Sequence, residues 1–141
     1  MMMVKKMSPF EDIVTGLFDY PPRLCWMRGT CAMFICIEPD GDVWPCCDRT
    51  LPSETYRWGN VLDKDLSTAI KSRNAHVFRE ADKKRQSFCM RCEWAFLCRG
   101  GCVYHRIIQS DAADAPDPFC PAYQKIFAHI AGRVDEILSW V

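Results

Sequence analysis

The chain has 141 residues, 49% of them apolar, and its 18 basic residues cancel its 18 acidic ones. A chain of this size buries roughly two thirds of its unfolded surface, so a modest single core is within reach, and a neutral balance with no basic tail or face excludes an electrostatic nucleic-acid binder. No stretch approaches the ~18 apolar residues that would span a membrane, and Glu11 and Asp12 follow the first residues where a secretion signal would need an apolar run. A cytoplasmic protein is predicted, with its ten cysteines kept reduced.

Taken in chain order, Phe10, Ile13, Val14, Leu17 and Phe18 recur at helical spacing until Tyr20-Pro21-Pro22 ends the pattern. Residues 1–24 therefore read as a lead-in with one short helix, and 25–141 as the domain proper. Met33 to Pro45 places β-branched and aromatic residues on both sides of Asp40-Gly41, a hairpin signal, with Cys46 just past its second strand. A loop then runs to Asp63, read as a helix N-cap, with Leu66, Ala69, Ile70 and Arg73 in helical register and a second helix over 75–85. Between Cys89 and Cys102 the density of cysteines leaves room for one helical turn over 93–97. Pro121 to Val141 carries apolar residues at a period of about 3.6 and predicts one closing helix with Pro121 in its first turn.

Eight cysteines form two groups: Cys25-x5-Cys31-x14-Cys46, then Cys89-x2-Cys92-x5-Cys98-x3-Cys102-x17-Cys120. A cubane cluster needs thiolates arriving from several directions, two from a Cys-x2-Cys turn and others from remote segments. The first group is one ligand short and the second one long. In two-cluster ferredoxins the last Cys of a tight run ligates the other cluster, and the same logic gives Cys102 to the first group and Cys120 to the second. Gly100 and Gly101, directly before Cys102, suit a loop pressed against such a cluster, with amides free to donate to its sulfurs.

This pattern, with Cys31-x9-Gly41-x4-Cys46 and the segments Pro-Asp-Gly-Asp-Val-Trp-Pro-Cys, Tyr-Arg-Trp-Gly-Asn-Val and Cys-Arg-Gly-Gly-Cys-Val-Tyr-His-Arg, resembles the SPASM domain, the twin auxiliary-cluster domain of radical SAM enzymes that modify peptides and proteins. Cys25 makes it most similar to the anaerobic sulfatase-maturating enzymes. The resemblance implies a small α+β fold with a β-hairpin, helices and cysteine-rich loops around two [4Fe-4S] clusters. It implies Cys25, Cys31, Cys46 and Cys102 as ligands of cluster I, and Cys89, Cys92, Cys98 and Cys120 as ligands of cluster II. It further implies an electron-transfer and substrate-docking module that uses S-adenosylmethionine only through a partner, a radical SAM barrel protein, and acts on a peptide or protein substrate. The Cys-x3-Cys-x2-Cys signature of the S-adenosylmethionine cluster does not occur in the sequence, so the chain is not expected to be catalytic alone. Where the sulfatase-maturating family places an Asp directly after the hairpin cysteine, this sequence has Cys47, with Asp48 next; both are weak catalytic candidates.

Two other readings of the cysteines stay open at this stage, a free-standing ferredoxin-like carrier and a structural zinc protein, although zinc ribbons repeat Cys-x2-Cys twice and here it occurs once. Cys36 reads as a small hydrophobe in a strand, and His105 as a hydrogen-bonded structural residue. Trp26, Trp44 and Trp94 each lie within two residues of a proposed ligand and read as shields against water. Lys83, Lys84 and Arg85 read as a solvated helix face. Ile13, Val14, Leu17 and Phe18 are candidate contacts for a barrel partner.

Overall fold

The computed structural model describes residues 8–46, 51, 53–84, 89–110 and 115–139. Helix α1, Phe10–Leu17, places Ile13 in an apolar cluster with Met27, Leu97, Phe127 and Ile130. Gly16 lets α1 close on this cluster, since a Cβ there would stand 2.4 Å from Leu97 Cδ1. The lead-in helix thus packs onto the domain: Ile13 is 2% exposed and Val14 and Leu17 are partly buried against the same cluster. Ile13 is unavailable to a partner, contrary to the sequence expectation. Among the four candidates, Phe18 stays open.

Short helix α2, Cys25–Arg28, ends on Gly29 in the left-handed conformation, and one 3-10 turn, Cys31–Met33, leads into strand β1, Ile35–Ile37. Strand β2, Asp42–Pro45, returns antiparallel in the register Ile35 to Pro45 and Ile37 to Val43. The predicted hairpin forms because Gly41, at φ 90, turns the chain where a Cβ would lie 2.7 Å from Asn60 Oδ1. A third strand, β3 at Gly59–Asn60, pairs with β2 and makes it central. Two residues are too few to show an alternating pattern, so the sequence hid it. Asn60 latches the turn, its Nδ2 donating to Asp40 O at 3.0 Å and to Asp42 Oδ1 at 2.8 Å.

Helix α3, Leu66–Ile70, is capped by Asp65, not Asp63: Asp65 Oδ1 accepts from Thr68 N at 2.9 Å. Ser72 caps a separate helix α4, Arg73–Lys83, so Arg73 opens α4 and does not continue α3. Phe78 and Ala75 of α4 are fully buried in a second apolar cluster with Val43, Trp44, Trp58, Val103 and Ile107. Burial of a side chain such as Phe78 contributes about 1.5–3 kcal/mol. Arg79 lies over the Trp58 ring at 5.1 Å and donates to Ile70 O. Lys83 and Lys84 are exposed as expected, and Arg85 lies outside the described residues.

A 3-10 turn at Cys89–Arg91 precedes α5, Ala95–Cys98, so the expected single turn starts two residues late and ends on a cysteine. Helix α6, Val103–Ser110, did not figure in the sequence reading; Val103, Arg106 and Ile107 form its buried side. The closing segment is two helices, α7 at Cys120–Ala131 and α8 at Val134–Leu138, separated at Gly132-Arg133. The apolar period runs through this break, which is why one helix was expected. The architecture is a three-stranded antiparallel sheet and a set of short helices, an α+β fold. Among the described residues no helix is long and apolar enough to cross a membrane.

Candidate metal centre

The chain delivers its cysteines at the ends of short elements. Cys25, Cys31, Cys89 and Cys120 are each the first residue of a helical turn, Cys98 is the last residue of α5, and Cys102 directly precedes α6. Amides at a helix start are unpaired donors, and thiolates gain from them. Cys46 closes the hairpin in the left-handed region at φ 80, with its N–H bonded to Phe34 O at 3.0 Å. A non-glycine residue held there stores strain that surrounding structure must impose, a feature that clusters at functional sites.

The first thiol set is centred on Cys31, which is in hydrogen-bonding contact with both Cys25 and Cys102. The Cys31 thiol keeps its proton, pushed up by its bonds to Cys102 and Cys25 and by burial. Cys25 is drawn down to about 7 and Cys102 to about 6, each chiefly by its hydrogen bond with Cys31. Cys102 is also lowered by the His105 and Tyr104 backbone amides of the first turn of α6. Cys46, one residue past β2, is buried.

The second set lines one pocket: Cys89, Cys92, Cys98 and Cys120, with Trp94, Tyr123, Gln124, Phe127, Gly100 and Asp117 around them. Burial pushes the Cys98 thiol up to about 11 against a lowering pull from the Gly100 and Gly101 amides, and the Gly101 N–H donates to Cys98 O at 3.0 Å. Cys120 is raised by burial and then by Cys89 and Cys92, and Gln124 Nε2 stands 3.7 Å from its sulfur. Among the described residues, no group of three or more His, Cys, Asp or Glu side chains forms a site for a single metal ion. The four sulfurs of this set border a space, and they come from the 89–98 run and from α7.

Aromatic rings enclose this region. Trp26 stacks on Tyr123 at 4.8 Å, Tyr123 on Phe127 at 6.1 Å, and Trp94 tilts against Phe127 at 5.8 Å. Trp26 and Trp94 are half-buried and Trp44 is buried within the sheet core. Cys36 lies in β1, partly buried against the main core with its sulfur 3.7 Å from Glu38 Oε1. His76 and His129 are exposed. Cys47 and Asp48 lie outside the described residues.

Asp117 is the residue that sequence reasoning missed. It is 4% exposed, its Oδ2 accepts the Cys102 N–H at 2.7 Å and its Oδ1 accepts the Phe119 N–H at 2.9 Å. Its carbonyl accepts the Cys120 N–H at 2.9 Å. His105 Nδ1 sits 3.4 Å from Oδ2, and its ring meets Phe119 edge-on at 5.0 Å. The only sequence signal was a charged residue three positions before a ligand candidate.

Residues 25–93 match the model of the SPASM family, described as an iron-sulfur cluster-binding domain. The chain is similar to that family over those residues. It is 31% identical over 130 residues to a cysteine-type anaerobic sulfatase-maturating enzyme of Clostridium perfringens, covering 92% of this chain and 35% of the relative. It is 28% identical over 118 residues to the corresponding enzyme of Clostridium novyi, covering 84% of this chain and 31% of the relative. Among solved structures, anSMEcpe with bound AdoMet superposes with a TM-score of 0.76 at 26% identity, covering 94% of this chain and 34% of that one. The same protein with AdoMet and the Cp18Cys peptide gives 0.75 at 27% identity, covering 91% and 35%. The chain thus spans about a third of the length of these relatives.

Proposed function

We propose that this domain holds two [4Fe-4S] clusters, one on Cys25, Cys31, Cys46 and Cys102 and one on Cys89, Cys92, Cys98 and Cys120. The observation that carries the reading is the position of Cys102. Although it follows Cys98 by four residues, its thiol contacts Cys31, while Cys120 from α7 completes the pocket of Cys89, Cys92 and Cys98. That exchange leaves four cysteines for each set. The donor chemistry suits the group: all-thiol sets, backbone amides at Gly100 and Gly101, and aromatic rings that limit water.

Such clusters, when bound, supply one-electron donation and acceptance. The protein's own part is to hold and insulate them. The first turn of α6 offers backbone amides to the Cys102 sulfur, the Gly100-Gly101 loop turns the chain beside Cys98, and Trp94, Tyr123 and Phe127 line the second set. In this reading the domain is an electron-transfer and substrate-docking module of a radical SAM system that modifies peptides or proteins, of the sulfatase-maturating type. The solved relative with bound AdoMet and the Cp18Cys peptide supports both the system and its substrate class. S-adenosylmethionine and its own cluster would belong to a barrel outside these residues, and a reducing compartment such as the cytoplasm suits free thiols.

The test is anaerobic reconstitution followed by dithionite reduction and EPR spin counting. Two reducible clusters give about two spins per chain at full reduction. A colourless, EPR-silent protein that binds zinc with the same cysteines sinks the proposal.

A further inference from the structure

We propose that Asp117 is a positioning residue that locks the two cysteine sets together and sets the potential of the second cluster. The inference rests on the iron-sulfur reading above. Three backbone bonds converge on this one residue: Cys102 N–H and Phe119 N–H on its carboxylate, and Cys120 N–H on its carbonyl. Cys102 belongs to the first set and Cys120 to the second, so a single side chain with its own carbonyl fixes the spacing between ligands of different clusters. Both carboxylate oxygens are used as acceptors, and the group is almost fully buried.

The surroundings are shaped to keep it there. Gly101 adopts φ 78, and a Cβ on it would lie 2.4 Å from Asp117 Oδ2 and 2.5 Å from Asp117 Cβ, so glycine is required for the carboxylate to reach the Cys102 amide. His105 approaches Oδ2 from the α6 side at 3.4 Å, held edge-on by Phe119.

Asp117 also borders the pocket of Cys89, Cys92, Cys98 and Cys120. A fixed negative charge in a buried wall opposes the arrival of an electron, because charge interactions are screened least where water is excluded. Net charge and hydrogen bonding near a cluster are among the terms that set its potential. Asp117 therefore holds the second cluster at a lower potential than the same fold with a neutral residue there.

The experiment compares the reconstituted full chain with its Asp117→Asn and Asp117→Glu variants by iron counting and by redox titration followed by EPR, which reads only cluster-loaded molecules. Asp117→Asn removes the charge together with one of the two side-chain acceptors, and is expected to raise the potential of one cluster by about tenfold in the reduction equilibrium, about 59 mV for one electron. Asp117→Glu keeps the charge and is expected to keep the wild-type potential in its loaded fraction, even with lower iron content. Loss of iron from Asp117→Asn alone, with Asp117→Glu loaded, also supports the proposal. Equal shifts in both variants, no shift in either, or equal loss of iron from both overturns it. A wild-type chain that takes up no iron overturns the cluster reading itself, and this proposal with it.

Discussion

The Cys102 thiol lies against Cys31, 71 residues earlier in the chain, and not among Cys89, Cys92 and Cys98, which immediately precede it. Gly100 and Gly101 make this possible by reversing the chain directly after Cys98, both at positive φ. The helix start of α6 then points two amides at the Cys102 sulfur.

Replacing Cys102 removes a proposed ligand of the first set, whereas Cys36 is proposed for neither. Cys102→Ala is expected to lose about half of the iron, roughly four of eight atoms, and to unfold at lower temperature. Cys36→Ala is expected to keep full iron, since the Cys36 sulfur packs in a strand beside Glu38. Iron analysis and calorimetry of the two reconstituted variants check this, and equal iron content in both contradicts the ligand assignment.

Gly101→Ala should be costly on two counts: a left-handed backbone conformation and a methyl driven into Asp117. Each strained residue costs about 1–3 kcal/mol, and the displaced Asp117 loses its bond to Cys102. Thermal unfolding of the reconstituted variant is expected to show at least that loss. Gly132→Ala is the control, because it sits at φ −70 with 3.3 Å to its nearest contact, and it should change stability far less.

Ile13→Ala should destabilise the whole domain by about 2–4 kcal/mol, the usual cost of truncating a fully buried aliphatic side chain. Phe18→Ser, at a position 45% exposed, should leave stability nearly unchanged. Denaturant unfolding distinguishes a lead-in that is part of the core from one that merely precedes it. Equal, small effects from both variants would contradict the packing of α1.

Acid should weaken the link between the hairpin and the loop that follows it. The Asp42 carboxyl is held below the usual carboxylate range by hydrogen bonds from Arg57 and then Asn60. Because its folded value is depressed, its stabilising contribution is complete above its unfolded value of about 3.9 and is lost as pH falls through the folded value. The stability gap between wild type and Asp42→Asn should therefore be constant from pH 7 down to about 4 and close as pH falls below that. Unfolding of the pair across that range tests it, and a gap independent of pH removes the role assigned to Asp42.

What the sequence showed clearly was whatever repeats or is locally encoded. Asp40-Gly41 marked the hairpin, Tyr20-Pro21-Pro22 marked the end of the first helix, and fixed gaps among cysteines marked both thiol sets. It failed where the determinant is a contact made only after folding. Asp117 meets Cys102 across 15 residues, and β3 exists because Gly59 and Asn60 pair with β2. The break between α7 and α8 is hidden because apolar residues keep their period across Gly132. Asp65, and not Asp63, caps α3 because only the former reaches Thr68 N.

The central claim is that eight thiols hold two interleaved clusters, and native mass spectrometry of the anaerobically reconstituted chain tests it most directly. The account predicts a mass increment of two [4Fe-4S] cores, falling to one core in Cys102→Ala and to one core in Cys120→Ala. A wild-type increment of a single core, or of zinc ions, would contradict it.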